Sequence, residues 1–294
     1  MIITAPGKLL LTGAYAVLGG APAVVLGVDR HAMLDTDTQL IDTHAMYDGA
    51  AKLGLGSSGA CAVVREGARA ALRGEDLADP AVRGRVFLAA KAAHAAEQGG
   101  GSGVDVAAST FGGVLVYTLG VAGARARAGG DDAPTHRAAR LPEGLFFDAF
   151  WSGTSARTSD LRGRVDALRA RDARAHAARI AELAAAAHAG AAAVDAGDRA
   201  ALVLAARATL RALDALGRDA DAPIVPPAFL ELARLAEQAD AAFLPSGAGG
   251  GDVGVYLGSS QPPPELSLRA VALGMRPLGL KVDSTGLRAE FPRR

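Results

Sequence analysis

The chain carries one cysteine, Cys61, in 294 residues, so no disulfide can form within it and a reducing compartment is expected. Cys61 itself reads as a small buried residue behind a glycine-rich loop. No uncharged apolar stretch reaches the ~18 residues that a membrane-crossing helix requires. Met1-Ile2-Ile3 runs directly into the first motif, leaving no room for a signal peptide. Net charge is missing as well: 31 basic residues balance 31 acidic ones, so no basic field exists to hold nucleic acid or an anionic membrane. These absences point to a soluble, cytoplasmic protein whose partners are small molecules, with a homodimer left open.

Lysine is scarce too, with Lys8, Lys52, Lys91 and Lys281 the only four among the 31 basic residues. Against that arginine-rich background, Lys8 and Lys52 sit inside or beside glycine motifs. A compact ammonium and a planar guanidinium behave differently at a crowded phosphate, which is a physical reason to keep lysine there.

Three glycine-and-serine segments dominate what is present: Ala5-Pro6-Gly7-Lys8, Gly54-Leu55-Gly56-Ser57-Ser58-Gly59-Ala60 and Ser246-Gly247-Ala248-Gly249-Gly250-Gly251-Asp252. Gly54 and Gly56 remove side chains where backbone N–H groups must approach an oxyanion. The apolar run after Ser58 can open a helix whose N-terminal dipole favours that charge. The reading is a phosphate-handling site with a nucleotide as its guest.

At 294 residues, half of them hydrophobic, the chain has ample core and exceeds the size that one core usually serves, so two domains are expected. Strands are expected at Met1–Thr4, Leu9–Leu11 and Pro22–Val28, joined by tight turns. A helix over 58–73 follows the second glycine motif, and another covers Phe87–Glu97. Val114–Tyr117 and Leu145–Trp151 are strand candidates, and 121–140, poor in apolar periodicity, is the expected connection between domains. Residues 161–217 read as antiparallel alanine-rich helices and 228–239 as a further helix. Val253–Leu257 and Leu278–Val282 are the last strands, with Gln261–Pro264 a loop.

Several single residues carry two readings. Asp105 alone suits a helix N-cap, and Lys8 alone a solvated surface lysine. His94, about three helical turns before Asp105, is a candidate for a metal's neighbourhood or an ordinary packed histidine. Ser155, Arg157 and Thr158 can hold a substrate phosphate or carboxylate, or make a capping turn before Leu161.

On these motifs the chain resembles the GHMP kinase superfamily. Gly101-Ser102-Gly103-Val104-Asp105-Val106-Ala107-Ala108, Trp151-Ser152-Gly153-Thr154-Ser155 and Leu280-Lys281-Val282-Asp283 with Gly286 are most similar to the phosphomevalonate and mevalonate kinases. The resemblance spans nearly the whole chain. It implies an α/β (α+β, two-layer) architecture with an ATP-binding domain over 1–140, a ferredoxin-like α+β domain over 141–294, and the active site in the cleft between them.

By the same resemblance, Lys8 and Asp105 face the reacting groups, and Lys52 with Gly54, Leu55, Gly56, Ser57, Ser58 and Gly59 wraps ATP. Ser58 offers its hydroxyl to Mg²⁺, with His94 close to the metal. Tyr15, Ser102, Gly103, Ser155 and Arg157 bind the acceptor, with Ser246, Gly247, Ala248 and Gly249 bracing its side. The implied reaction is phosphorylation of phosphomevalonate to mevalonate diphosphate, with mevalonate or a related hydroxy acid as the alternative acceptor. The chain departs from the resemblance at Ala14, where the family commonly has an acidic residue, and in a shortened 31–51 segment. A catalytically impaired ligand-binding protein and, last in order, a mevalonate-diphosphate decarboxylase are the other readings that stay open.

Overall fold

The computed structural model describes residues 1–120, 133–154 and 158–291. Its first sheet is centred on β1 (Ile2–Thr12) and β2 (Ala23–Asp35), a long antiparallel pair, with β3 (Ile41–Asp42) set against β2. A small hairpin of β4 (Tyr47–Asp48) and β5 (Ala51–Lys52) leads into α1 (Ser57–Leu72), α2 (Pro80–Gln98) and α3 (Val104–Phe111). β6 (Val114–Thr118) and β7 (Thr135–Ala139) then extend the sheet beyond β2. Apolar side chains at helical spacing bury α1 and α3 against β1 and β2.

The second sheet comprises β8 (Phe146–Trp151), β9 (Ala242–Pro245), β10 (Val253–Gly258) and β11 (Arg276–Pro277), all antiparallel and ordered 11-8-10-9. Between its strands run α4 (Thr158–Arg171), α5 (Ala173–Ala196), α6 (Arg199–Asp219), α7 (Pro227–Gln238) and α8 (Pro264–Ala272). The last strand, β12 (Arg288–Glu290), returns to the free edge of β1, so the first sheet draws on both ends of the sequence. α6 touches β9 and β10 on one side and β1 on the other, joining the two sheets through one continuous apolar core.

Four expectations need correction. The Ala5–Lys8 motif is no turn: it lies within β1, and Pro6 and Gly7 straddle a break in register against β2, a position where a strand tolerates a residue without an N–H. Leu278–Val282 forms no strand of its own. It crosses between the sheets, Leu278 N–H donating to the Ala149 carbonyl (2.8 Å) and Asp29 N–H to that of Lys281 (3.0 Å). Within 121–140, residues 121–132 lie outside the described residues, and Thr135–Ala139 is an exposed edge strand with no apolar alternation to announce it. Pro264 opens a helix, α8, because proline at a first helical position loses only a donor that has no partner there.

The C-terminal segment is latched to α3. Gly113 N–H donates to the Asp283 carbonyl and Leu287 N–H to that of Thr110. Gly286, at φ 71°, approaches the Phe111 and Gly112 backbone so closely that a Cβ would lie 2.6 Å from the Phe111 carbonyl carbon. Asp283 Oδ2 meets His31 Nε2 at 2.6 Å and accepts from Arg288 at 3.1 Å, while Oδ1 accepts from the Thr285 and Gly286 amides.

Burial opposes ionisation of Asp283, but the His31 bond, those amides and the Arg288 charge together hold its carboxyl well below the usual range. That preference stabilises the fold above the ordinary carboxylate value and is lost as pH falls through the lowered one. Asp283→Asn should therefore lower Tm by roughly 2–5 °C at pH 7, with the gap from wild type narrowing in acid. Calorimetric scans across pH check this.

Candidate active site

The second glycine motif forms the turn before α1. Gly54 (φ 77°) and Gly56 (φ 79°) take left-handed backbone that an L side chain resists. Space forbids a side chain as well: a Cβ on Gly54 would fall 2.4 Å from Asp252 Cβ, and one on Gly56 would fall 2.9 Å from Lys8 Cγ. Gly56 occupies the N-cap of α1 without a side-chain hydrogen bond, and no acidic residue sits in the first turn. The N–H groups of that turn therefore take no side-chain partner from α1 itself and can be turned toward a phosphate.

Lys8 projects from β1 toward this turn. Its own N–H donates to the Leu55 carbonyl (2.8 Å), and its Nζ donates to the Gly54 carbonyl at 3.1 Å. Burial lowers the ammonium's pKa, opposed by the charges of Asp105 and then Asp252. Asp105 enters from the first turn of α3, where its Oδ1 accepts from Val106 N–H at 3.0 Å. Gly59 leaves room for it, since a Cβ there would lie 2.8 Å from Asp105 Oδ2. His94 of α2 completes the cluster, with Nε2 3.1 Å from Ser58 Oγ and 3.7 Å from Asp105 Oδ2.

The third motif closes the opposite side. Ser246 Oγ accepts from Leu10 N–H at 2.8 Å, tying this turn to β1. Tyr15, at φ 59°, donates its hydroxyl to the Ala248 carbonyl at 2.7 Å. Burial pushes its phenol up despite the Arg162 charge, so Tyr15 remains a donor. A Cβ on Gly247 would sit 3.5 Å from Lys8 Nζ, which measures how closely the first and third motifs approach.

These parts enclose one cavity of about 550 Å³. From the sequence-based site set, Lys8, Tyr15, Lys52, Gly54 and Gly56 line it. So do Ser57, Ser58, His94, Ser102, Gly103 and Asp105, and from the third motif Ser246, Gly247 and Ala248. Leu55 does not: its side chain is buried in the core. Gly59 backs Asp105, and Gly249 packs against the Ile224 backbone away from the lining. Ser155 and Arg157 lie outside the described residues.

Thr158, read from the sequence as able to hold a substrate phosphate or carboxylate, lines the cavity, and so do Asp252, Gln98, Ser159 and Arg162, which sequence reasoning passed over. Asp252 carried a signal, as the one acidic residue of the third motif. Arg162 lies on α4 and lines the cavity, where its charge acts on the Tyr15 phenol. No group of three or more His, Cys, Asp or Glu among the described residues could hold a metal by itself. No described helix is long and apolar enough to cross a membrane.

This fold, with its three motifs around one cavity, is the fold of solved GHMP-type kinases. The chain is 27% identical to a phosphomevalonate kinase of Streptomyces sp. (strain CL190), across 86% of this chain and 88% of that protein. Among solved structures, the Lin0012 protein of Listeria innocua superposes with a TM-score of 0.81 at 21% identity, covering 96% of this chain and 97% of its own. Streptococcus pneumoniae phosphomevalonate kinase, in complex with phosphomevalonate and AMPPNP, does so at 0.76 and 18%, covering 96% and 100%. No family model matches the chain.

Proposed function

We propose that this protein transfers the γ-phosphoryl group of ATP to a small anionic acceptor, phosphomevalonate being the first choice and mevalonate the second. The observation that carries this reading is the uncapped first turn of α1 opening on one cavity with Lys8 and Asp105 beside it and Arg162 in the lining. The likeness to phosphomevalonate kinases of two organisms supports the choice of acceptor.

In this reading the acceptor oxygen bonds to the γ-phosphorus as the bond to the β,γ-bridging oxygen breaks, and ADP leaves. Such transfer needs in-line positioning and charge neutralisation more than covalent help. The α1 amides hold the phosphates, and Lys8 balances charge on the migrating group. Asp105 orients the acceptor, and accepts its proton when that acceptor is a hydroxyl.

Mg²⁺ bound with the nucleotide would neutralise phosphate charge. The donors present suit it, because a serine hydroxyl (Ser58) and a carboxylate (Asp105) supplement a cation that phosphate oxygens and water mainly hold. His94, a nitrogen donor, is a poor partner for so hard a cation.

An ADP-release assay over phosphomevalonate, mevalonate, homoserine and galactose tests the reading. Saturable turnover with phosphomevalonate is expected. Background rates with every acceptor, together with no ATP binding by calorimetry, would refute it. Arg162 is assigned to the acceptor's anionic group, a charge-assisted contact of about 1.5–3 kcal/mol. Arg162→Leu should raise the acceptor KM ~10–100-fold with the ATP KM nearly unchanged. Parallel rises in both KM values would contradict that assignment.

A further inference from the structure

We infer that His94 is a positioning residue for phosphoryl transfer, fixing the Ser58 hydroxyl and the Asp105 carboxylate relative to one another. The inference rests on the kinase reading above.

His94 is 9% exposed, in the last two turns of α2, and its Nε2 alone faces both oxygens, at 3.1 Å from Ser58 Oγ and 3.7 Å from Asp105 Oδ2. Those oxygens belong to different elements, Ser58 to the first turn of α1 and Asp105 to that of α3. Neither helix supplies a side-chain cap at its own start. The imidazole therefore reaches both the first turn of α1 and the carboxylate of α3.

A ring nitrogen is either a donor or an acceptor. As N–H, Nε2 points at both oxygens, draws the carboxylate toward the phosphate turn and leaves the Ser58 O–H free to turn into the cavity toward a phosphate oxygen. A rigid ring held on a helix does this with little entropy to lose. Removing it frees two rotamers at the place where reacting atoms must align, and misalignment there costs turnover more than binding.

Three variants separate this role from packing. The amide of His94→Gln reaches the place of Nε2, whereas that of His94→Asn stops near Nδ1. His94→Ala and His94→Asn should lower kcat ~10–30-fold with both KM values within ~3-fold of wild type, and His94→Gln should recover most of the loss. In a Ser58→Ala background, His94→Ala should cost less than ~3-fold, because the two changes share one interaction.

An activity-independent readout is the imidazole ¹⁵N spectrum at fixed pH, in which the His94 Nε2 signal should shift on Ser58→Ala and on Asp105→Asn. Wild-type kcat in His94→Ala, equal rescue by Asn and Gln, or full additivity with Ser58→Ala would overturn the inference, as would an unmoved Nε2 signal. A wild-type protein that turns over no acceptor removes the catalytic role too. A shifting signal in that case traces the failure to the kinase reading and not to the contact.

Discussion

Lys8→Met should lower kcat by at least ~10²-fold with every acceptor that the protein turns over. Lys8 is the cation that the glycine turns are shaped around: Gly54 supplies its carbonyl partner, Gly56 clears its stem, and Gly247 lies alongside its ammonium. A charge in a partly buried site acts on a developing anion more strongly than in bulk solvent.

Methionine keeps the length and apolar body of the side chain, so the loss should fall on turnover. Folding should change little, because two consequences oppose each other. Burial lowers the Lys8 pKa, which makes holding its charge a cost to the fold at neutral pH, relieved as pH rises above the lowered value. Its removal lifts that cost but leaves Asp105 and Asp252 without their cation. A Tm within a few degrees of wild type alongside the fallen kcat is the expected pair, while a retained kcat would remove Lys8 from the chemistry. Wild-type activity should also decline on the alkaline side below the ordinary lysine value of about 10.4, as the ammonium loses its proton.

Asp105→Asn carries the second large expectation, and its size depends on the acceptor. With a hydroxyl acceptor such as mevalonate, the carboxylate takes the proton, and kcat should fall ~10²–10⁴-fold. A phosphomonoester has a second pKa of about 6, so its attacking oxygen is already largely anionic at neutral pH. The loss with phosphomevalonate should then be far smaller, on the order of ten-fold, reflecting orientation alone. Asparagine is nearly isosteric, so the close fit of Asp105 against Gly59 is retained. Steady-state kinetics with both acceptors make the comparison. Equal losses would mean that Asp105 does not handle a proton.

Much of this site could be read from the sequence because glycine reports backbone geometry directly. Gly54, Gly56 and Gly247 stand where φ is positive, and at the first two a side chain would strike Asp252 or Lys8. α1 was legible from its apolar spacing, and β10 from its apolar run.

What escaped was set by tertiary contact. The Ala5–Lys8 motif looks like a turn by composition, yet pairing with the long β2 holds it in a strand that absorbs Pro6 at a break in register. Leu278–Val282 has a strand's apolar run but spends its hydrogen bonds crossing between sheets. Arg162 lies one turn inside an arginine-rich helix of low apolar content, where nothing local separates it from its exposed neighbours. The Ser58–His94–Asp105 contact joins three helices, and spacing along the chain cannot specify how these pack.

The most direct test of a shared phosphate site is a crystal structure with a non-hydrolysable ATP analogue and Mg²⁺. The triphosphate should lie on the Gly56–Ser58 amides, with its γ-phosphate in hydrogen-bonding reach of Lys8 Nζ. A nucleotide bound elsewhere, with Lys8 still turned onto the Gly54 carbonyl, would contradict it.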